Sequence, residues 1–158
     1  MSSAGDFGSV TLSGNANLQT RGERNQGAIT QTSNLNIFSI NCVLNLYLIS
    51  NGKMNTENSN IQVSLCPNLS VDGNGNTAVL SDNSNSKFNG DNNQWDAKDN
   101  SNLDVWGTGN ILKINRNSNS KFGGDRCNVI AEDNSNLSVL GDDIKATIRG
   151  TSNHVVTK

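Results

Sequence analysis

Apolar residues recur along this chain in pairs two positions apart. Leu69/Val71, Leu103/Val105 and Leu137/Val139 form one set, and Leu44/Leu46, Ile61/Val63 and Leu112/Ile114 form a second. A spacing of two is that of a strand with one buried face. Both sets return at a fixed interval marked by Asn17, Asn34, Asn51, Asn68, Asn85, Asn102, Asn119, Asn136 and Asn153, each 17 residues after the last. With Asn as position 1, the apolar pairs fall at positions 2 and 4 and at positions 11 and 13. Position 6 is Gly22, Gly73, Gly90, Gly107, Gly124 or Gly141, with Ser39 and Thr56 as small substitutes. One unit therefore reads strand, glycine bend, strand, Asp/Asn/Ser turn. A unit of fixed length that tiles nearly the whole chain marks a solenoid, in which each unit is stable only on its neighbours. Seventeen residues are too few for a helix–turn–helix unit and suit one turn of a β-solenoid. The pattern predicts an all-β fold: a parallel β-solenoid (β-helix or β-roll) of about nine 17-residue coils. Each coil carries two short strands, and the rod is about 43 Å long.

Volumes within the unit support a shared interior. Where position 4 is large, position 2 is small, as in Ser86 with Phe88, Ser120 with Phe122 and Gly52 with Met54. Positions 11 and 13 make the same exchange in Trp95 with Ala97, Val129 with Ala131 and Ala146 with Ile148. A narrow core layer conserves its volume. Trp95 is thus a core residue. The position-1 asparagines suit a tight left-handed corner and form a ladder whose amides bond from coil to coil. Residues 17–158 carry the solenoid. Residues 1–16 continue the frame as an N-terminal half-coil cap, with Val10 and Leu12 at positions 11 and 13 and Phe7 as a plug. His154 takes the core position 2 of the last coil and is expected to cap the core end.

Composition changes the picture in one respect. Apolar and aromatic residues are scarce enough for a disordered chain, but the fixed period argues for order, because a solenoid needs few apolar residues per coil. A formal charge of −2 and the lack of a basic, aromatic-interleaved patch speak against a nucleic-acid partner. No apolar run is long enough to insert in a membrane and no secretory signal is read at Met1, which leaves the compartment open; extracellular and virion-associated settings both suit a rod. Cys42 and Cys127 share position 9 but lie five coils apart, roughly 24 Å, so with Cys66 at position 16 they read as free buried thiols.

The chain carries little reactive chemistry. His154 is the single histidine, and no coil exceeds 17 residues, so nucleophile–base pairs and cleft-forming loops are both missing. Asp82, Asp99 and Asp133 share position 15, and Asp91, Asp125 and Asp142 share position 7. Turn formation accounts for both columns without calcium; no metal, cofactor or catalytic residue is assigned. The second coil is different. Phe38, Ile40, Val43, Tyr47, Leu48 and Ile49 stand where other coils are polar, and Leu65 extends the trend. A coil apolar on both faces is covered by something: either a second copy or a protein partner, the leading reading, or the chain's own N-terminal segment folded over it. Trp106 at position 5 points outward, where it can stack on a sugar. Lys87, Asp104 and Lys121 stack beside it at position 3 as a solvated charge ladder.

Two resemblances bear on function. The rhythm of Asn136-Leu137-Ser138-Val139-Leu140-Gly141 and of Gly150 to Thr157 resembles the grass ice-recrystallisation-inhibition β-roll proteins. That likeness implies an inward Asn ladder and a flat Ser/Thr face for ice. Here, however, the outward positions 3 and 12 carry Lys and Asp as well as Ser, Thr and Asn. The Asn-Leu dipeptide is shared with pentapeptide-repeat proteins, whose five-residue period is absent. The rod as a whole resembles the β-helix shafts of phage fibres and adhesins. The leading expectation is a non-enzymatic structural or adhesive module (fibre, spike, shell or surface-binding component) that self-associates or docks through coil 2. An ice-binding solenoid is the alternative, and a glycan-binding or polysaccharide-degrading β-helix comes third.

Overall fold

The computed structural model describes residues 2–5 and 8–157. Among them the chain forms short strands and no helix. Ten strands, from Ser2–Ala4 to Val155–Thr157, make one parallel sheet, and nine, from Ser9–Ser13 to Lys145–Arg149, make a second. Pairing joins residues one repeat apart: Phe88 lies between Val71 and Val105 in the first sheet, and Trp95 between Ala78 and Leu112 in the second. The chain is a parallel β-solenoid of about nine turns. Residues 2–16 add a strand to each sheet, more than the half coil read from the sequence. Phe7, expected as a plug, lies outside the described residues, as does the side chain of Val10.

Three residues in each coil are left-handed, at positions 1, 8 and 15. In the fifth coil they are Asn85 (φ 52°), Asn92 (φ 57°) and Asp99 (φ 57°). Asn and Asp tolerate this conformation better than other side-chain-bearing residues. At each one the in–out alternation of the strand slips by one residue, so two successive side chains face solvent. The inward columns are therefore positions 2, 4 and 6, then 9, 11 and 13, then 16. The cross-section has two long sides, the two sheets, and a short third side where bridges such as Ser84–Ser101 and Ser101–Ser118 continue the pairing.

The four apolar columns share one interior, as their volumes implied. Leu103, Val105, Leu112 and Ile114 of one coil are all buried. Phe88 and Trp95 meet across the core with ring centroids 5.2 Å apart. At position 6, Gly73, Gly90, Gly107, Gly124 and Gly141 hold φ between 130° and 143°. A Cβ there would run into the carbonyl of the preceding coil. In the first full coil Thr20, Gly22 and Gly27 leave the interior thin, and they line a cavity of about 140 Å³. At the other end His154 and Val156 are exposed as the outermost layer, and Leu137 and Val139, one repeat below them, are buried.

Positions 9 and 16 carry the decisive polar contacts. At a left-handed corner the backbone N–H that follows the turn, and the carbonyl three residues before it, have no strand partner. Buried asparagines fill both gaps from the next coil. Asn117 Oδ1 accepts from the Asn100 N–H (2.8 Å), and its Nδ2 donates to the Ala97 carbonyl (2.8 Å). Asn134 does the same for the Asn117 N–H (2.8 Å) and the Ile114 carbonyl (3.1 Å). At position 9, Asn93 accepts from the Asn76 N–H (2.7 Å) and donates to the Gly73 carbonyl (3.0 Å). The position-1 asparagines also bond from coil to coil, as in Asn102 to Asn85 (2.8 Å) and Asn136 to Asn119 (2.9 Å), but on the exposed outside of the rod.

This division sets a testable ranking. Asn100→Ala or Asn117→Ala leaves a buried donor and a buried acceptor unpaired and should cost about 2–5 kcal/mol in urea unfolding. Asn102→Ala loses an exposed amide contact and a favoured corner residue, about 1 kcal/mol. Equal losses at Asn100 and Asn102 would contradict the assignment.

Candidate functional site

The apolar residues of coil 2 do not form a single surface. Phe38 (43% exposed) and the half-buried Ile40 lie on the outer face of the first sheet. Val43 begins the coil's strand in the second sheet, Val43–Ser50, and Tyr47 and Leu48 stand toward the far corner of that strand. Ile49, expected at an interface, is fully buried: the slip at left-handed Leu48 turns position 16 inward, where Ile49 replaces the usual Asn. Phe38 has a partner within the chain, the Arg21 guanidinium 5.1 Å from its ring centroid.

What the fold does bring together is the corner Tyr47, Leu48 and Leu65. Leu48 and Leu65 occupy position 15 in successive coils, each about 40% exposed and each left-handed, with φ 55° and 53°. A leucine in that conformation costs roughly 1–2 kcal/mol; Gln31 precedes them in the column, and Asp82, Asp99, Arg116, Asp133 and Gly150 fill it further on. Next to this corner, the outer face of the second sheet is uncharged over its first strands. Its outward residues there are Gln26, Ala28 and Thr30, then Val43, Asn45 and Tyr47, then Asn60, Gln62 and Ser64, then Thr77, Val79 and Ser81. From Asp96 and Lys98 onward the face is charged, with Lys113 paired to Asp96 at 3.8 Å. The sequence frame contains this asymmetry, but only the fixed orientation of each column reveals it.

Trp106 lies four coils away, roughly 19 Å along the rod. It is exposed on the first sheet, and its Nε1–H donates to Asp104. Alongside runs a shallow groove of about 430 Å³ between the Asn85–Asn102–Asn119 column and the Lys87–Asp104–Lys121 column. The position-15 column carries one strong exposed pair: Arg116 Nε and Nη2 grip both Asp99 oxygens at 2.8 Å. The Arg116 hydrogen bonds hold the Asp99 carboxyl below its ordinary range. No cluster of three or more metal-ligating side chains occurs among the described residues.

The cysteines sit in the two buried polar columns. Cys66 Sγ accepts from the Ile49 N–H (3.4 Å) and donates to Ser64 O (3.1 Å), and Cys127 Sγ donates to the Gly107 carbonyl (3.2 Å). They do, weakly, the work asparagine does elsewhere. All three thiols are free and buried. Burial pushes Cys66 and Cys127 up from the ordinary thiol value.

Neither a family model nor a curated protein sequence matches the chain. Among solved structures it is similar to QnrB1, a plasmid-mediated fluoroquinolone resistance protein, at 9% identity over 90% of this chain and 92% of that one, with a TM-score of 0.35. It is similar to HetL, a pentapeptide repeat protein from the cyanobacterium Nostoc, at 7% identity over 93% and 86%, TM-score 0.32. It is also similar to the Streptococcus pneumoniae surface protein and adhesin PfbA, at 8% identity over 89% and 66%, TM-score 0.27. Likenesses this distant concern the fold alone.

The thiols offer a direct check. Native protein at pH 8 should react with a disulfide reagent far more slowly at Cys66 and Cys127 than after denaturation, when all three cysteines titrate at once. Rapid native labelling of Cys66 would contradict its place in the interior column.

Proposed function

We propose that this protein is a non-enzymatic structural or adhesive rod that assembles with a second copy of itself through the corner Tyr47–Leu48–Leu65 and the adjoining uncharged half of the second sheet. The observation that carries this reading is the corner. Two exposed leucines occupy left-handed positions where every other coil carries a polar residue (Gln31, Asp82, Asp99, Arg116, Asp133) or a glycine (Gly14, Gly150), so apolar surface is presented at these two corners alone in the column. The neighbouring face supports it, because an uncharged sheet loses little on being desolvated against a copy of itself. A constant coil length supports a non-enzymatic role, since no inserted loop walls a cleft.

Light scattering on the wild type and on Tyr47→Ser/Leu48→Asn/Leu65→Asn tests the proposal. The wild type should be a discrete oligomer and the triple variant a monomer. The Asn substitutions relieve backbone strain, so the variant should unfold at equal or higher urea concentration than the wild-type monomer. A monomeric wild type, or an oligomer that the variant leaves intact, would contradict it.

A further inference from the structure

We infer that the outer face of the first sheet around Trp106 binds an extended polysaccharide lying along the rod axis, with one pyranose stacked on the indole. Trp106 is held in place rather than left loose. In the paired strand its register partner is Gly123, which leaves the space beside it empty. The benzo ring of Trp106 occupies that space: a Cβ built on Gly123 would overlap Cζ3 and Cε3 of the indole. On its other edge the Nε1–H is tied to Asp104 in the same strand. One ring face therefore covers the sheet and the other meets solvent, with the indole 40% exposed. Gly123 is the single glycine at position 5, where other coils carry Arg21, Phe38, Asn55, Asp72, Asn89 and Leu140. The pairing of the one outward tryptophan with the one glycine able to seat it makes a built platform.

The surroundings select the ligand. A pyranose presents an apolar C–H face to an aromatic ring and a rim of hydroxyls that both donate and accept. The groove beside Trp106 offers both kinds of partner. Lys87 and Lys121 flank Asp104 in register, and no ion pair joins either lysine to it among the described residues. The amide ladder opposite is broken between Asn102 and Asn119, leaving the Asn102 Oδ1 and the Asn119 Nδ2 without each other. These groups repeat at the coil spacing of about 4.8 Å, close to the advance per sugar of an extended chain, so successive coils address successive sugars. A peptide would need apolar side-chain pockets, which this groove lacks. A phosphate backbone is opposed by Asp72 and Asp104 on the same face and by the net charge of −2.

The test is an NMR titration of the full chain with cellohexaose, xylohexaose, mannohexaose, chitohexaose and oligomannuronate. At least one should bind with a Kd of about 1 mM or tighter and shift the Trp106 Nε1–H resonance. A salt-sensitive response confined to oligomannuronate would identify an anionic chain, and a salt-insensitive one a neutral chain; either supports the inference. Trp106→Ala should abolish binding. Gly123→Ala, which keeps the indole but tips it off the sheet, should weaken binding about tenfold. Tyr47→Ser, on the proposed self-association surface, should leave binding unchanged, so this inference and that proposal fail separately. Absence of binding to every probe, or binding unaffected by both Trp106→Ala and Gly123→Ala, would overturn it.

Discussion

A narrow coil must satisfy the backbone groups that its own corners strand. Each turn of this rod passes three left-handed residues, and two of the corners leave a buried N–H and a buried carbonyl without strand partners. Stacked asparagine amides at positions 9 and 16 supply both partners from the next coil, as Asn117 does for Asn100 and Ala97. An unmet buried pair of this kind is costly, and the remedy works only when the next asparagine arrives in register. The fixed repeat follows from this constraint. An inserted residue would break both ladders and turn the inward columns outward.

The constraint also explains how so little apolar substance supports an ordered core. The seven inward positions per coil include only four large apolar ones; the rest are glycine at the bend and polar groups at two corners. Layers such as Phe88 with Trp95 trade volume with Ser86 and Ala97. Where a polar column is interrupted, the substitutes are informative. Cys42, Ser59 and Cys66 keep weak donors and acceptors at the corners, whereas Ile49 keeps only the packing.

Much of this was legible in the chain. The period, the two strands per coil, the four apolar columns and the outward aim of Trp106 all follow from parity within a 17-residue frame. The buried amide columns were not separated from the position-1 asparagines, because Asn serves both as a left-handed corner and as an amide bridge, and composition does not distinguish the roles. The misplacement of Ile49 has the same root: parity fails across a left-handed residue, and Leu48 does not look like one. The partnership of Trp106 with Gly123 was present in the frame, since both are at position 5 of adjacent coils, but its meaning depended on the ring lying over its neighbour rather than along its own strand. The two surfaces proposed for function lie on different sheets and in different coils, and each presents large apolar side chains outward.

The claim that buried amides close the corners is tested most directly by hydrogen exchange at single residues. The backbone N–H groups of Asn76, Asn100 and Asn117 have no strand partner and bond only to side chains. If the ladders hold as described, these three amides exchange as slowly as the strand amides of Val105 and Ile114, opening only with global unfolding. If they exchange orders of magnitude faster while the strands stay protected, the corners are open to water and the account of what holds this solenoid together is wrong.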